Sequence, residues 1–141
     1  MCGEIDEQAE IGQDLQEHLR VMARMLKLAP GGGHSVPPRG LAASEGRTAY
    51  MEAVFRDGLS RAVADVASAD DEEAVDALAG QAIALARLAG FLAGQLPPEA
   101  DLFRALIEAL TAGHAEPRAM AEARRRAHDH HHHHHDHDHH H

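Results

Sequence analysis

Tryptophan is absent from this chain, tyrosine occurs once (Tyr50) and phenylalanine three times. So few rings, beside few β-branched residues, argue against a sheet. A single cysteine, Cys2, excludes an internal disulfide framework and any zinc site built mainly from thiolates. Lysine is nearly missing as well: Lys27 stands alone beside twelve Arg, against 23 Asp and Glu. The formal charge is -10 with His neutral, and the only basic run, Arg124-Arg125-Arg126, is short. A stable nucleic-acid complex is therefore not expected, because phosphate contacts need clustered cations. An apolar leader with a small-residue cleavage site is not found at the start, where the sequence turns acidic from Glu4. The most apolar window, Ala82 to Ala93, is broken by Arg87 and falls short of the ~20 residues that cross a bilayer. No membrane partner and a cytoplasmic, reducing location are the expectations.

What the 141 residues have in excess is alanine, 28 of them, and histidine, fourteen of them. Alanine with few β-branched or aromatic residues argues for helix over sheet. The expected fold is all-α: a small helical bundle, homodimeric through the two C-terminal core helices, followed by a disordered His-rich tail.

Five regions are expected. Residues 1–28 hold an N-terminal amphipathic helix, with Ile11, Leu15, Leu19, Met22 and Leu26 on one stripe and Pro30 with Gly31-Gly32-Gly33 as its stop. Residues 29–43 form a Gly/Pro-rich linker. The helical core is 44–113. It opens at Ser44-Glu45 and continues with Met51, Val54, Phe55, Leu59, Ala62, Val63 and Val66 at helical spacing. The acidic cluster Asp70 to Glu73 then suits the positive end of the next helix dipole. In that helix Val75, Leu78, Ala82, Leu85, Ala89, Leu92 and Leu96 alternate steps of three and four, and Ile83, Leu88 and Phe91 add a second apolar face. This spacing predicts a helix buried on more than one side, too apolar for two neighbours in so small a body to cover. Pro98 opens a further helix with Leu102, Phe103, Leu106, Ile107 and Leu110, ended by Gly113. The helices are expected near 5–28, 45–68, 71–95 and 99–112. Residues 114–127 are a polar helix or linker, and 128–141 are the disordered tail. The seam Leu85, Ala89, Leu92, Leu96 and Leu106 is the expected dimer contact.

The tail carries the one chemical capability the residues name. His128, His130, His131, His132, His133, His134, His135, His137, His139, His140 and His141 are eleven of the fourteen histidines, interspersed with Asp129, Asp136 and Asp138. Neutral imidazole ligates Ni2+, Zn2+ and Co2+, and at two to four His per ion the tail holds on the order of three to five ions. Nothing in the pattern fixes one geometry, so binding is expected to be exchangeable and weakly selective, suited to storage, buffering or handover. The competing reading is an expression tag, since 130–135 is a run of six His; the run sits inside a longer Asp/His repeat and follows no vector-like linker.

Other candidates are weaker. Asp14 and His18 are one helical turn apart, which fits a metal pair or a solvated pair. His114 is expected at a helix C-terminus, where its charge suits the dipole. His34 has no partner nearby in sequence, and Cys2 is either a soft-ion ligand beside the N-terminal amine or an ordinary exposed thiol. Met22 and Met25 are expected in the first helix's apolar stripe. No enzyme signature is found: the serines lack a GxSxG setting and the carboxylates lack apolar surroundings.

Two resemblances follow from these segments. The composition of 128–141 resembles the His-rich tails of bacterial nickel-handling proteins such as urease nickel chaperones and hydrogenase maturation GTPases. The GxxxxGK[ST] loop of those GTPases is absent here. Residues 81–113, QAIALARLAGFLAGQLPPEADLFRALIEALTAG, resemble the last two helices of tetracycline-repressor-type regulators. That likeness implies dimerisation as a four-helix bundle, without the family's DNA-binding helices at the N-terminus. The expected function is accordingly intracellular transition-metal binding, storage or chaperoning by a non-enzymatic protein. The alternative is a regulatory or interaction module derived from such a dimerisation domain, with the tail incidental or a tag.

Overall fold

The computed structural model describes the backbone of residues 3–29 and 37–132, with side chains over 10–29 and 37–129. It is all-α, and no strand occurs among the described residues. Four helices follow one another: α1 (Gly3–Met25), α2 (Ser44–Ser68), α3 (Ala74–Ala93) and α4 (Leu102–His132), with a 3-10 turn at Pro98–Ala100 before the last. The chain divides into two compact units, Met1–Ala86 and Arg87–His141, the boundary falling within α3.

In the first unit, α1 ends earlier than Pro30 and the glycines require. Lys27 takes a left-handed conformation, φ 54°. Its N–H donates to the Arg24 carbonyl at 3.1 Å and the Leu28 N–H reaches back to Ala23 at 2.9 Å. This pair of bonds satisfies the last carbonyls of the helix, in a motif that usually carries glycine at the left-handed position. The half-buried stripe of α1 is Gly12, Leu15, Leu19, Met22 and Ala23. Ile11 and Leu26 of the expected stripe are exposed, as is Met25 at 72%; Leu26 lies beyond the last helical residue, so the stripe cannot extend to it.

Helix α2 begins at a built corner. Gly40 has φ +66°, and a Cβ on Gly46 would overlap the Gly40 carbonyl, so both positions require glycine. That carbonyl accepts the Ala43 N–H at 3.2 Å, and the Arg47 guanidinium donates to the Leu41 and Ala42 carbonyls at 3.0 Å each. The cap is Ala43, which has no side chain to offer, and Ser44 is already the first helical residue. At the other end the Ala69 N–H closes α2 on Asp65 and Val66. Five residues later α3 starts: the acidic cluster lies in the turn, and the Glu73 carbonyl accepts the Ala77 N–H at 2.8 Å. Its start at Ala74 is three residues after the one expected.

Helices α2 and α3 form an antiparallel hairpin within this unit. The Gln81 side-chain amide donates to Asp65 Oδ2 at 2.9 Å, and an open apolar cleft of about 360 Å³ runs between Val54, Phe55, Gly58, Leu59 and Ala62 on one side and Leu78, Gln81, Ala82 and Leu85 on the other. Ala62, at 9% exposure, is the one buried apolar residue among the described residues. Of the stripe expected on α2, Val66 is half-buried, while Met51, Val54, Phe55, Leu59 and Val63 are exposed. Of the residues that line this cleft, Gly58, Ala62 and Gln81 are the covered or half-covered ones. The large side chains that line it, Phe55, Leu59, Leu78 and Leu85, stay about half exposed.

The expectation of an α3 buried on several sides therefore fails for the single chain, in which α3 has no buried residue. Val75, Leu78, Ile83, Leu85, Leu88 and Leu92 are all exposed. With twenty residues and a mean hydropathy of 1.4 in its most apolar window, α3 is long and apolar enough, by length and composition, to cross a membrane.

In the second unit, Asp101 (φ 45°) closes the 3-10 turn on the Pro98 carbonyl. Leu102 and Leu106 of α4 are half-buried, whereas Phe103, Ile107 and Leu110 are exposed. The helix does not stop at Gly113. It runs through Gly113 and Pro117 to His132, and Gly113 has no positive φ. A glycine ends a helix only when it takes the left-handed conformation, and the Ala, Arg and Glu residues that follow are strong helix formers. Pro117 lacks an N–H, so the carbonyl left without an intrahelical partner is that of Gly113, four residues earlier. The neighbourhood from Thr111 to Ala121 is exposed throughout, so water satisfies it.

Candidate metal site

Among the described residues no group of three or more His, Cys, Asp or Glu could hold a metal ion. His18 and Asp14 both lie exposed on α1, and no ion pair joins them. The nearby acid, Glu17, is engaged by Arg20 at 3.4 Å and Arg24 at 3.9 Å. His114 does not stand at a helix end. It sits inside α4, eighteen residues before the last helical residue, so the proposed dipole contact is lost. Cys2 and His34 lie outside the described residues.

The His-rich segment begins on a helix. His128 follows Arg124-Arg125-Arg126 on α4 and is exposed, as is Asp129. The helical backbone continues through His130, His131 and His132. A tail without structure from His128 onward was expected, and the helical backbone instead carries five residues further. The cause is the Ala/Glu/Arg run from Ala119 to Ala127, which nothing interrupts before the histidines. His133, His134, His135, His137, His139, His140 and His141 lie outside the described residues.

The helix that carries this segment is stabilised locally. Arg104 pairs with Glu108 at 3.5 Å and Arg118 with Glu122 at 3.3 Å, each four residues apart. Exposed pairs of this kind contribute about 0.3–0.5 kcal/mol. They need no neighbouring element, and α4 is exposed along most of its described length up to His128.

No family model matches the chain, and no significant match exists among curated proteins or solved structures. The likeness of 81–113 to repressor dimerisation helices and of the tail to nickel-handling proteins thus rests on those residues alone.

Reading the residues by chemistry missed two features that geometry brings out. One is the Asp65–Gln81 bond between α2 and α3, which no spacing rule connects across the turn. The other is that α3 contains only two charges, Asp76 and Arg87, and that neither is in an ion pair among the described residues. The signal for the second was in the sequence, as a twenty-residue apolar helix with one charge of each sign.

Proposed function

We propose that the protein binds divalent transition metals, Ni2+, Zn2+ or Co2+, through its C-terminal histidines, as a store, buffer or chaperone inside the cell. The observation that carries this reading is the concentration of eleven His and three Asp within residues 128–141. Imidazoles at this density offer many overlapping ligand sets, so ions load and leave quickly and no single geometry selects one metal. A buffer or handover protein needs that exchange; a catalytic metal site needs the opposite, fixed ligands with one open position. The helical body serves as a platform, and as a homodimer it presents two tails.

Equilibrium dialysis against nickel tests the reading. The full chain binds on the order of three to five ions per chain, and a version ending at Ala127 binds fewer than one. Equal stoichiometry in the two would overturn it. An interaction module is the second reading, favoured by the many large apolar side chains that α2 and α3 expose. It gains if the tail proves to be an appended tag, which the coding sequence upstream of the stop codon decides.

A further inference from the structure

We propose that α3 docks antiparallel against α3 of a second copy of this chain, through the face marked by Asp76, Gly80, Ile83 and Arg87. This inference does not rest on the metal reading.

A helix that is apolar on all sides is one that is covered on all sides. In this chain the half-buried residues of α3, Ala74, Ala77, Gln81, Ala89 and Ala93, share one side, and Gln81 bonds to Asp65 of α2. Asp76 and Arg87 lie on the other side. Eleven residues at 100° each return to within about 20° of the start, so the two charges share one line along the helix. The same line holds Gly80 and Ile83, and it runs about 160–180° away from the face that meets α2. It is open: Ile83 is 71% exposed, and a Cβ built on Gly80 would meet nothing within 4 Å.

The occupant follows from the charges. Asp76 and Arg87 are separated by about 16 Å along one rigid helix, at about 1.5 Å per residue, too far to pair with each other. Elsewhere Arg56, Arg61, Arg104 and Arg118 each have a carboxylate four residues away. On α3 the charges lack such partners, yet they are placed symmetrically about the point between Gln81 and Ala82. A two-fold axis at that point sets Asp76 opposite Arg87 of the second copy, and Arg87 opposite Asp76. The same axis sets Ile83 opposite Gly80 in both directions, so the one large side chain on the line meets the residue with none. A two-fold contact must be self-complementary in this way. This face differs from the seam of Leu85, Ala89, Leu92 and Leu96 expected from the heptad pattern.

The test is sedimentation equilibrium of the full chain in EDTA, which removes any metal that could bridge tails. Wild type is dimeric at micromolar concentration. Asp76→Arg alone and Arg87→Asp alone each bring like charges together twice, and each weakens self-association at least ~100-fold. An equimolar mixture of the two variants restores dimers, since every cross-pair is again opposite in sign; helicity by circular dichroism confirms that each variant is folded. A monomeric wild type overturns the proposal, including one that binds lipid vesicles as a monomer. Dimers insensitive to either substitution, or a mixture no more associated than its components, overturn it equally.

Discussion

Helices α3 and α4 meet water in opposite ways. In α4, thirty-one residues long, Arg104 and Arg118 find carboxylates one turn away, and among the described side chains only Leu102, Leu106 and Glu122 are even half-buried. In α3, two charges serve twenty residues, and Val75, Leu78, Ile83, Leu85, Leu88 and Leu92 are all exposed. The first is self-sufficient as a helix and can extend its end, with the histidines, into solvent. The second lacks that local support and calls for a partner surface. If the two proposals hold, association and metal binding fall to separate helices, and each should be open to perturbation without the other.

The largest expected effect is on the ligand side of this division. Lowering the pH from 7.5 to 5 should weaken nickel binding by more than ~100-fold, because free imidazole takes a proton near pH ~6.5 and protonated nitrogen cannot ligate. The sign is fixed: protons compete with the ion, so occupancy is full at the higher pH and lost on acidification. Titration calorimetry at both pH values checks it, and an unchanged isotherm would assign the ion to ligands other than imidazole. Helicity should be retained over the same range, since the α2–α3 contact is made by apolar residues and one Gln–Asp bond.

Next in size is Pro117→Ala. Restoring an N–H to the Gly113 carbonyl and removing the ring should stabilise α4 by about 2–3 kcal/mol, seen as a higher thermal midpoint in circular dichroism. A neutral result would mean that the helix is already interrupted there. Smaller are two changes at helix ends. Lys27→Gly relieves a left-handed lysine and should add about 1 kcal/mol. Ala43→Asp supplies the side-chain cap that α2 lacks, also about 1 kcal/mol. Both are read from thermal melts in EDTA. Smallest is Arg118→Gln, which removes one exposed pair and should cost less than about 0.5 kcal/mol. A larger loss would show that α4 depends on more than its own local pairs.

The contrast between these helices also explains what was legible in the sequence. Helix existence and type followed from alanine content and from apolar spacing, and α1, α2 and α3 lie within a few residues of where the spacing put them. The ends did not follow, because they depend on conformations that residue type only biases. Lys27 turns left-handed where glycine would be favoured, and Gly113 stays helical where a stop was expected. Spacing also overstated burial. It marks Leu85, Leu92 and Ile83 as core, but a stripe says only that a face is apolar, and these side chains are about half or more exposed even where, as at Leu85, they line the cleft against α2. For the proposed metal site, the residue types were evident from composition and a polar helix within 114–127 was one expectation; that one helix runs unbroken from Leu102 to His132 was not, because Gly113 reads as a stop.

The separation of the two functions is most directly tested by counting nickel ions per chain in the Asp76→Arg variant and in wild type, by equilibrium dialysis at pH 7.5. Equal counts, on the order of three to five per chain for a monomer and a dimer alike, are what the account expects. A variant that binds half as many ions per chain, or none, would contradict it, because the metal would then be held between two chains and not by each tail alone.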